Sequence, residues 1–454
     1  MNRASGRRKG AEAGARRQET GGATRGLSDL FRALVSASGR GGMVSLADQM
    51  VASATNFLTG MIIGRACARE EFGLYMLCMS IVLFVLDLQT SIISSSYMIY
   101  SQRLSGRDHA RYLGSTLVQQ WSLALLLILL LAGSQLFLGL GIGPRQLGPV
   151  VSSLVAVIAF IMFREFVRRV CFAGLMMLHA LLVDCCVALL QIGGLLLLAW
   201  QGLLSTRTAF LVIGLACGTA SLGWLVLNRR AWTIRLREVG VDFRKNWLFG
   251  RWVFASGLLW ALSMNLYPWF LAHYHGVAAA GAWAAAYGVV AIANPLLFGV
   301  QNFLGPRIVQ AYTTGGHAGL RRFVLRVTSV YFLIVLPLAV LLFFFGGDLV
   351  VLVYGAKYAG NGTVVSILAV NLLVTAAAFV LSRAILAVEQ SRIYFMANLV
   401  PLIILVGFGI LLVQKFGPAG VAWGNLASTV ATAAVLLFFF SGLEQRTGDG
   451  SETA

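Results

Sequence analysis

Three carboxylates lie inside long apolar stretches of the chain, where a charged group needs a functional reason. Asp48, Asp87 and Asp184 are each flanked on both sides by mostly apolar residues. Ionisable groups inside a membrane are costly, and they commonly mark ion pathways or substrate sites. We therefore predict that these three residues couple transport to a cation or a proton. Asp48 and Asn56 are eight residues apart, so we expect them to share a helix face.

Amide and guanidinium groups supply the candidates for binding an anionic substrate. Arginine forks match the oxygens of phosphate and pyrophosphate groups, and amides inside apolar segments can line a wet cavity. Two alternatives stay open: the arginines anchor the segment ends at the membrane surface, and the amides form hydrogen bonds between helices. Arg164 and Arg168 occupy similar segment ends. The candidate binding residues are Asn56, Arg251, Asn265, Asn294, Asn302, Arg307 and Arg383.

Two prolines fall inside apolar segments and are candidates for gating. Pro268 and Pro295 each remove a backbone donor, which frees a carbonyl and allows the helix to bend. Such bends can act as rocking points, although simple packing kinks are an equally good explanation.

The composition indicates the class of protein in which these residues act. The chain has 454 residues, of which 58% are hydrophobic and 11% charged, and its mean hydropathy is +0.82. Soluble domains carry about 25% charged residues, so a soluble enzyme, a disulfide scaffold and a disordered chain are excluded. The six cysteines show no metal-ligand spacing, and we expect no metal and no cofactor.

Twelve apolar segments are long enough to cross a bilayer, which takes about 20 residues. If the N-terminus is cytoplasmic, all but six of the 35 Lys and Arg residues lie on the cytoplasmic side, as the positive-inside rule requires. The net charge of +18 therefore indicates orientation, not nucleic-acid binding, and both termini are expected in the cytoplasm. The six outer cations are Arg65, Arg69, Arg145, Arg207, Lys357 and Lys415. The expected spans are 43–65, 72–97, 115–138, 148–168, 175–199, 208–228, 250–273, 280–304, 324–345, 364–385, 394–414 and 419–440.

An internal repeat divides the chain. The stretch from Arg169 to Asp184 aligns without gaps on the stretch from Arg383 to Asn398. Six spans per half give both halves the same orientation, with substrate expected between them near the midplane. The fold expected is an all-α polytopic membrane protein. Its parts are a basic cytoplasmic tail with a short amphipathic helix (1–42), a first lobe (43–228), a cytoplasmic linker (229–249), a second lobe (250–440) and a cytoplasmic tail (441–454).

Catalytic motifs are missing from the sequence. It contains no phosphate-binding GxxxxGK[ST] loop and no GxSxG, HExxH or kinase signature. The expected outer segments are short, whereas a membrane enzyme that acts on the outer side generally needs a larger polar loop. We therefore expect a protein that is not an enzyme.

Several short motifs together resemble one family. In these motifs the chain is similar to the bacterial polysaccharide-type (Wzx-like) flippases over residues 40–440. That family belongs to the multidrug/oligosaccharidyl-lipid/polysaccharide (MOP) exporter superfamily, which includes the lipid II flippases and the MATE exporters. The motifs are Asn56-Phe57, Gly64-Arg65, Glu71 to Tyr75, Tyr287, Asn294-Pro295, Asn302, Pro306-Arg307, Tyr354-Gly355, Tyr358, Arg383 to Glu389 and Phe416 to Ala422.

The resemblance implies two six-helix lobes in a MATE-like arrangement around a central cavity that opens alternately to each side. It implies flipping of a polyprenyl-pyrophosphate-linked oligosaccharide across the bacterial inner membrane for O-antigen, exopolysaccharide or capsule synthesis. The implied partners are that lipid-linked substrate, membrane lipids and the polymerase or export components of the pathway.

Three alternatives remain open at this point. A MATE-like exporter of small molecules, coupled to a cation, would use the deep acids and not the basic residues. A membrane O-antigen ligase or polymerase would need a large outer loop with catalytic groups. A non-transporting scaffold would leave Asp48 and Asp87 without a role.

Overall fold

The computed structural model describes the backbone of residues 39–139 and 147–448, and this part of the chain is helical throughout apart from short turns. The predicted all-α fold is confirmed for the described residues. Residues 1–38, with the short amphipathic helix expected there, and residues 449–454 lie outside the described residues.

The first half contains six helices. They are α1 (Gly39–Ala66), α2 (Arg69–Gln89, continuing through a π turn to Arg103), α3 (Gly106–Gly139), α4 (Leu147–Ala173), α5 (Met177–Trp200) and α6 (Thr206–Leu227).

The second half contains seven helices for six expected spans, because two spans are divided and the end of the eighth lies in the same helix as the ninth. They are α7 (Leu236–Asn265), α8 (Tyr267–His275), α9 (Val277–Val290), α10 (Asn294–Tyr354), α11 (Gly362–Ala387), α12 (Ser391–Ile404, continuing through a π turn to Phe416) and α13 (Pro418–Gly448). The residues expected as a linker, 229–249, are largely the first turns of α7.

Breaks in these helices follow from the local sequence. Pro268 and Pro295 lie in the first turns of α8 and α10, where a missing N–H costs nothing. Each proline therefore divides an expected span into two pieces. Gly316 has φ +57°, a value open chiefly to glycine, and it splits α10 between the eighth and ninth expected spans. Ser205 starts α6 with a capping box that it forms with Thr208.

The helices of the two halves pack in the same pairwise pattern. α1 packs on α5 as α7 packs on α12, and α4 packs on α6 as α11 packs on α13. Likewise α3 packs on α4 as α10 packs on α11, and α5 packs on α6 as α12 packs on α13. This agreement is what a parallel repeat of two helical lobes requires.

Nine helical segments of the described chain are long and apolar enough to cross a membrane. All twelve expected spans fall on helices, but α1, α7 and the short α9 are not among the nine. α1 and α7 are excluded because they carry too many polar residues. α9 is excluded because it is too short, since it covers only Val277–Ala293 even with its last turn. Twelve crossings therefore stay a prediction, whereas a multi-pass membrane protein is confirmed.

The halves contact each other at two ends of the bundle. Asn246, near the start of α7, lies at one end, where Tyr112 Oη donates to its Oδ1 (2.7 Å) and its Nδ2 donates to Gln119 Oε1 (3.0 Å). Arg65, at the close of α1, lies at the other end, where it reaches the last turn of α10. We call these the Asn246 end and the Arg65 end.

Candidate functional site

A buried network of charged side chains is built on α4. Arg164 and Arg168 are one helical turn apart and share a face, and Glu165 and Arg169 share the neighbouring face. The first face points to α1 and α5, whose carboxylates Asp48 and Asp184 lie against it. Three helices of the first half are thereby joined by charge.

The network is held by short contacts. Arg164 donates from Nε (3.1 Å) and Nη2 (2.7 Å) to Asp184 Oδ1. Arg168 donates from Nη2 to Asp48 Oδ2 (2.9 Å), and its Nε lies 3.1 Å from Asp184 Oδ2 without hydrogen-bond geometry. Arg168 thus bridges two carboxylates on different helices.

Charge and burial in the network are balanced. Three arginines face three carboxylates, because Glu165 accepts from Arg169 Nε at 2.7 Å. The side chains of Asp48 and Asp184 are 0% exposed, and that of Arg168 is 14% exposed. In a medium of low dielectric constant an unpaired charge here would be strongly unfavourable, so each member depends on the others.

From their positions in the sequence, Arg164 and Arg168 are predicted to lie at segment ends, where an arginine binds an anion or anchors the helix at the membrane surface. The structure instead turns them inward onto carboxylates. It also shows that Asp48 and Asn56 do not line one surface, because Asp48 is buried whereas Asn56 is exposed. Glu165 forms its short ion pair with Arg169, one helical turn further along α4.

Asp87 occupies a different position. It lies half-buried on α2, at a narrow crevice lined by Ser91 of the same helix and by Gly257 and Ala261 of α7. Among the described residues its carboxylate has no hydrogen-bond or ion-pair partner, although it interacts electrostatically with Arg169. The π turn Thr90–Ser94 begins directly after this region, and π turns are frequent at functional sites. Asp87 is therefore the carboxylate placed between the two halves.

The candidate binding residues are spread over several helices. Asn56, Arg251 and Arg383 are exposed, and Arg307 is half-buried. Asn265 donates from Nδ2 to Ala261 O of its own helix (2.9 Å). A cavity lined by the whole set stays a prediction.

Four candidates remain, and the structure describes the side chains of two of them. Asn294 is half-buried, and Pro268 is buried. The side chains of Asn302 and Pro295 lie outside the described residues.

Metal ligands are not clustered in the described part of the chain. No group of three or more His, Cys, Asp or Glu side chains there could hold a metal ion, and the six cysteines are free.

Sequence reasoning missed the contacts between the halves. Asn246, Tyr112 and Gln119 stand far apart in the chain, and nothing in their spacing predicts a contact. A weak signal did exist for Arg65 and Lys357, since both are outer cations beside the end of a long apolar helix.

The backbone is similar to several solved transporters. It matches an inward-facing conformation of a multidrug resistance MATE family transporter of the MOP superfamily with TM-score 0.72 and 16% identity, covering 88% of this chain and 99% of that one. It matches the lipid II flippase MurJ in an inward closed conformation with TM-score 0.70 and 14% identity, covering 88% and 87%. A MOP superfamily transporter from Pyrococcus furiosus matches with TM-score 0.62 and 14% identity, covering 88% and 95%.

Fold and composition together define a multi-pass membrane protein with the fold of the MOP-superfamily transporters. The family model described as "Polysaccharide biosynthesis protein" matches residues 38–311, and the chain belongs to this family. No curated protein sequence matches the chain. The resemblance expected from the short motifs is confirmed at the level of family and fold.

Proposed function

We propose that this protein is a secondary transporter that flips a polyprenyl-pyrophosphate-linked oligosaccharide across the bacterial inner membrane for surface polysaccharide synthesis. The observation that carries the proposal is the pairing of family and fold. A chain of the polysaccharide biosynthesis family shares its fold with the lipid II flippase MurJ.

The headgroup of such a substrate needs a polar path through the membrane. A pyrophosphate and its sugars cannot cross about 30 Å of hydrocarbon without a polar path. Three helices are more polar or shorter than a usual membrane span: α1 in the first half, and α7 and α9 in the second. Because both halves contribute such a helix, this supports a polar path between the halves. Asn56 lies on α1, and Arg251 and Asn265 lie on α7. In this proposal these residues, with Asn294, Asn302, Arg307 and Arg383, bind the headgroup.

Orientation is part of the proposal. The exposed cations Arg229, Arg230, Arg235 and Arg244 surround the Asn246 end. By the positive-inside rule this end faces the cytoplasm, with both termini, and the Arg65 end faces outward. The substrate then enters at the Asn246 end and leaves at the Arg65 end, and its lipid tail stays in the bilayer.

Energy coupling is assigned to the carboxylates. Asp87 is the first candidate, because it lies between the halves and has no hydrogen-bond partner among the described residues. Asp48 and Asp184 are coupled to it through the arginines of α4. Pro268 and Pro295 mark the interruptions in which the second half bends. No bond of the substrate is made or broken in this proposal.

A second candidate function is a cation-coupled exporter of small molecules. The observation that favours it is the buried carboxylate network of the first half, together with a fold shared with MATE transporters. A ligase or polymerase is less well supported, because no large loop interrupts the described helices.

The test is a deletion of the gene, complemented with wild type, Asp87→Asn, Arg251→Ala and the control Arg392→Ala. Arg392 is an equally exposed arginine that lies outside the candidate set. We expect lipid-linked repeat units to accumulate on the cytoplasmic side of the deletion strain and to be cleared by wild type and the control. Asp87→Asn and Arg251→Ala should clear them at least tenfold more slowly.

Two outcomes would overturn the proposal. Normal surface polysaccharide with retention of cationic dyes in the deletion strain would favour the exporter. A change in the mass of the lipid-linked unit, on incubation with the purified protein in liposomes, would favour an enzyme.

A further inference from the structure

At the Arg65 end, two helices from different halves complete each other's C-termini. The last carbonyls of a helix have no partner within the helix and carry the negative end of its dipole. At the end of α10, the N–H of Gly355 bonds Val351 O, which leaves the carbonyls of Leu352 and Val353 open. Arg65 of α1 donates to both, from Nε to Val353 O at 2.7 Å and from Nη2 to Leu352 O.

The reciprocal contact comes from the second half. Lys357 follows α10, and its Nζ donates to Arg65 O at 3.1 Å and to Cys67 O. These carbonyls belong to the end of α1, where the N–H of Cys67 bonds Ile63 O. Each half thus supplies the cation that caps a helix of the other half.

Aromatic rings lie beneath these cations. Tyr354 of α10 is 2% exposed, and its ring lies 5.6 Å from that of Phe72 on α2. A Cβ at Gly64 of α1 would come 2.5 Å from Tyr354 Cδ1, and a Cβ at Gly288 of α9 would come 2.1 Å from its Oη. Only glycine leaves room for this ring between the two halves.

The contacts at the Arg65 end are of a kind that can break and re-form. Arg65 is exposed, so water can replace its bonds to Leu352 and Val353 when the halves separate. The Tyr354–Phe72 contact next to it is buried. A closure of this kind can be shifted by a modest difference in the affinity of a ligand for the open and closed states.

We propose that Arg65, Lys357 and Tyr354 form a latch that holds the Arg65 end shut, and that release of this latch opens the transporter to that side. The inference rests on the proposed alternating access. Neither cation is among the residues assigned above to substrate or ion binding, so the latch adds positioning residues to the transport cycle.

Cys67 is a natural reporter of the latch. It is 6% exposed, and its backbone carbonyl accepts from Lys357. Burial raises the pKa of its thiol to about 11, with a further upward contribution from Glu71 and a downward one from Lys357. Since the thiolate is the reactive form, the thiol reacts slowly while the latch is closed.

The experiment measures modification of Cys67 in the full-length protein by a membrane-impermeant maleimide, added outside intact cells and quantified by peptide mass spectrometry. We expect Arg65→Ala and Lys357→Met each to raise the rate about fivefold, since hydrogen bonds to charged groups contribute about 1 kcal/mol or more. Arg65→Lys should give a smaller increase. Lys357 lowers the pKa of the Cys67 thiol, so removing its charge would by itself slow the reaction. A faster reaction in Lys357→Met therefore reports greater exposure of Cys67.

The matched control is Arg207→Ala. Arg207 is an exposed arginine at the same end with no hydrogen bond or ion pair to a described residue, and its removal should leave the rate unchanged. Size-exclusion chromatography verifies that each variant is folded. Unchanged or slower modification in Arg65→Ala and Lys357→Met would overturn the latch.

A second measurement is independent of cysteine reactivity. Spin labels at positions 207 and 415, exposed positions on the two halves, report the separation of the halves at this end after Cys67, Cys185 and Cys186 are replaced by alanine. Arg65→Lys should add a longer distance to that of the closed form, and a single unchanged distance would overturn the latch. Neither readout needs substrate, so a protein that fails to clear lipid-linked units refutes the proposed function alone.

Discussion

Arg168 Nη2 lies 2.9 Å from Asp48 Oδ2, and the Asp48 side chain is completely buried. The same guanidinium reaches Asp184 on α5, so one arginine of α4 fastens two neighbouring helices of the first half. A buried pair of this kind adds little to stability compared with an apolar pair, but it is expensive to break on one side only. This asymmetry leads to the first prediction.

Removal of Arg168 alone should destabilise the protein strongly. Arg168→Met leaves the buried carboxylate of Asp48 without a partner, which costs about 3–5 kcal/mol in buried pairs. The double variant Asp48→Asn with Arg168→Met should recover at least half of that loss, because Asp184 keeps Arg164. Thermal unfolding in detergent measures both. Equal losses in the single and double variants would contradict the pairing.

Asp87 and Asp48 should respond differently to neutralisation. Asp87→Asn should reduce transport at least tenfold with little change in unfolding temperature, because no described residue forms a hydrogen bond or ion pair with this carboxylate. Asp48→Asn should lower stability as well, because it removes a charged partner of the buried Arg168 guanidinium. Clearance of lipid-linked units and thermal unfolding are measured on the same preparations. Equal stability losses in the two variants would contradict this division of roles.

Close approach of α2 and α9 should make Gly73 intolerant of larger residues. A Cβ at Gly73 would lie 2.0 Å from the carbonyl oxygen of Val277, and a Cβ at Gly281 would lie 2.3 Å from that of Arg69. Gly73→Leu should therefore destabilise the protein by about 1–3 kcal/mol, the usual cost of overpacking. The matched control is Gly133→Leu, since nothing lies within 4 Å of a Cβ there. A similar unfolding temperature for both variants would count against the contact.

The contact between the halves at the Asn246 end should depend on the side-chain amide of Asn246. Asn246→Leu removes the partner of both Tyr112 and Gln119, which are buried, and each group left unsatisfied costs about 1–3 kcal/mol. Tyr112→Phe in the same chain should cost less than it does in wild type, because its hydroxyl has already lost its partner. A double-mutant cycle of unfolding free energies measures the coupling, and additive losses would contradict it.

Reaction of Cys67 should depend steeply on pH. Because burial raises the pKa of this thiol to about 11, the thiolate fraction grows about tenfold per pH unit from pH 8 to pH 10, whereas an ordinary thiol with pKa about 8.5 levels off in this range. The rate of maleimide modification at Cys67 should follow that rise. A plateau near pH 9 would show that the thiol is solvated in the resting protein.

Composition, hydropathy and short motifs were enough to predict the class of protein and its family. Apolar segments of about 20 residues form helices in a bilayer, since a helix satisfies its backbone hydrogen bonds within one segment, and composition alone reveals them. Proline made the interruptions at Pro268 and Pro295 readable for the same reason, because it acts on the local backbone, whereas the break at Gly316 was not predicted. The three carboxylates could be singled out because a charge among apolar neighbours is visible in one dimension.

Only the tertiary structure decided what those charges do. Asp48, Arg168 and Asp184 come from three helices, so their ion pairs depend on how each helix is rotated about its axis. Periodicity placed Asp48 and Asn56 on one face, and helix packing then buried one and exposed the other. Arg65 meets Leu352 and Val353 through carbonyls, which every residue carries. No residue type marks such a contact, and the meeting of two helix ends is a property of the folded bundle.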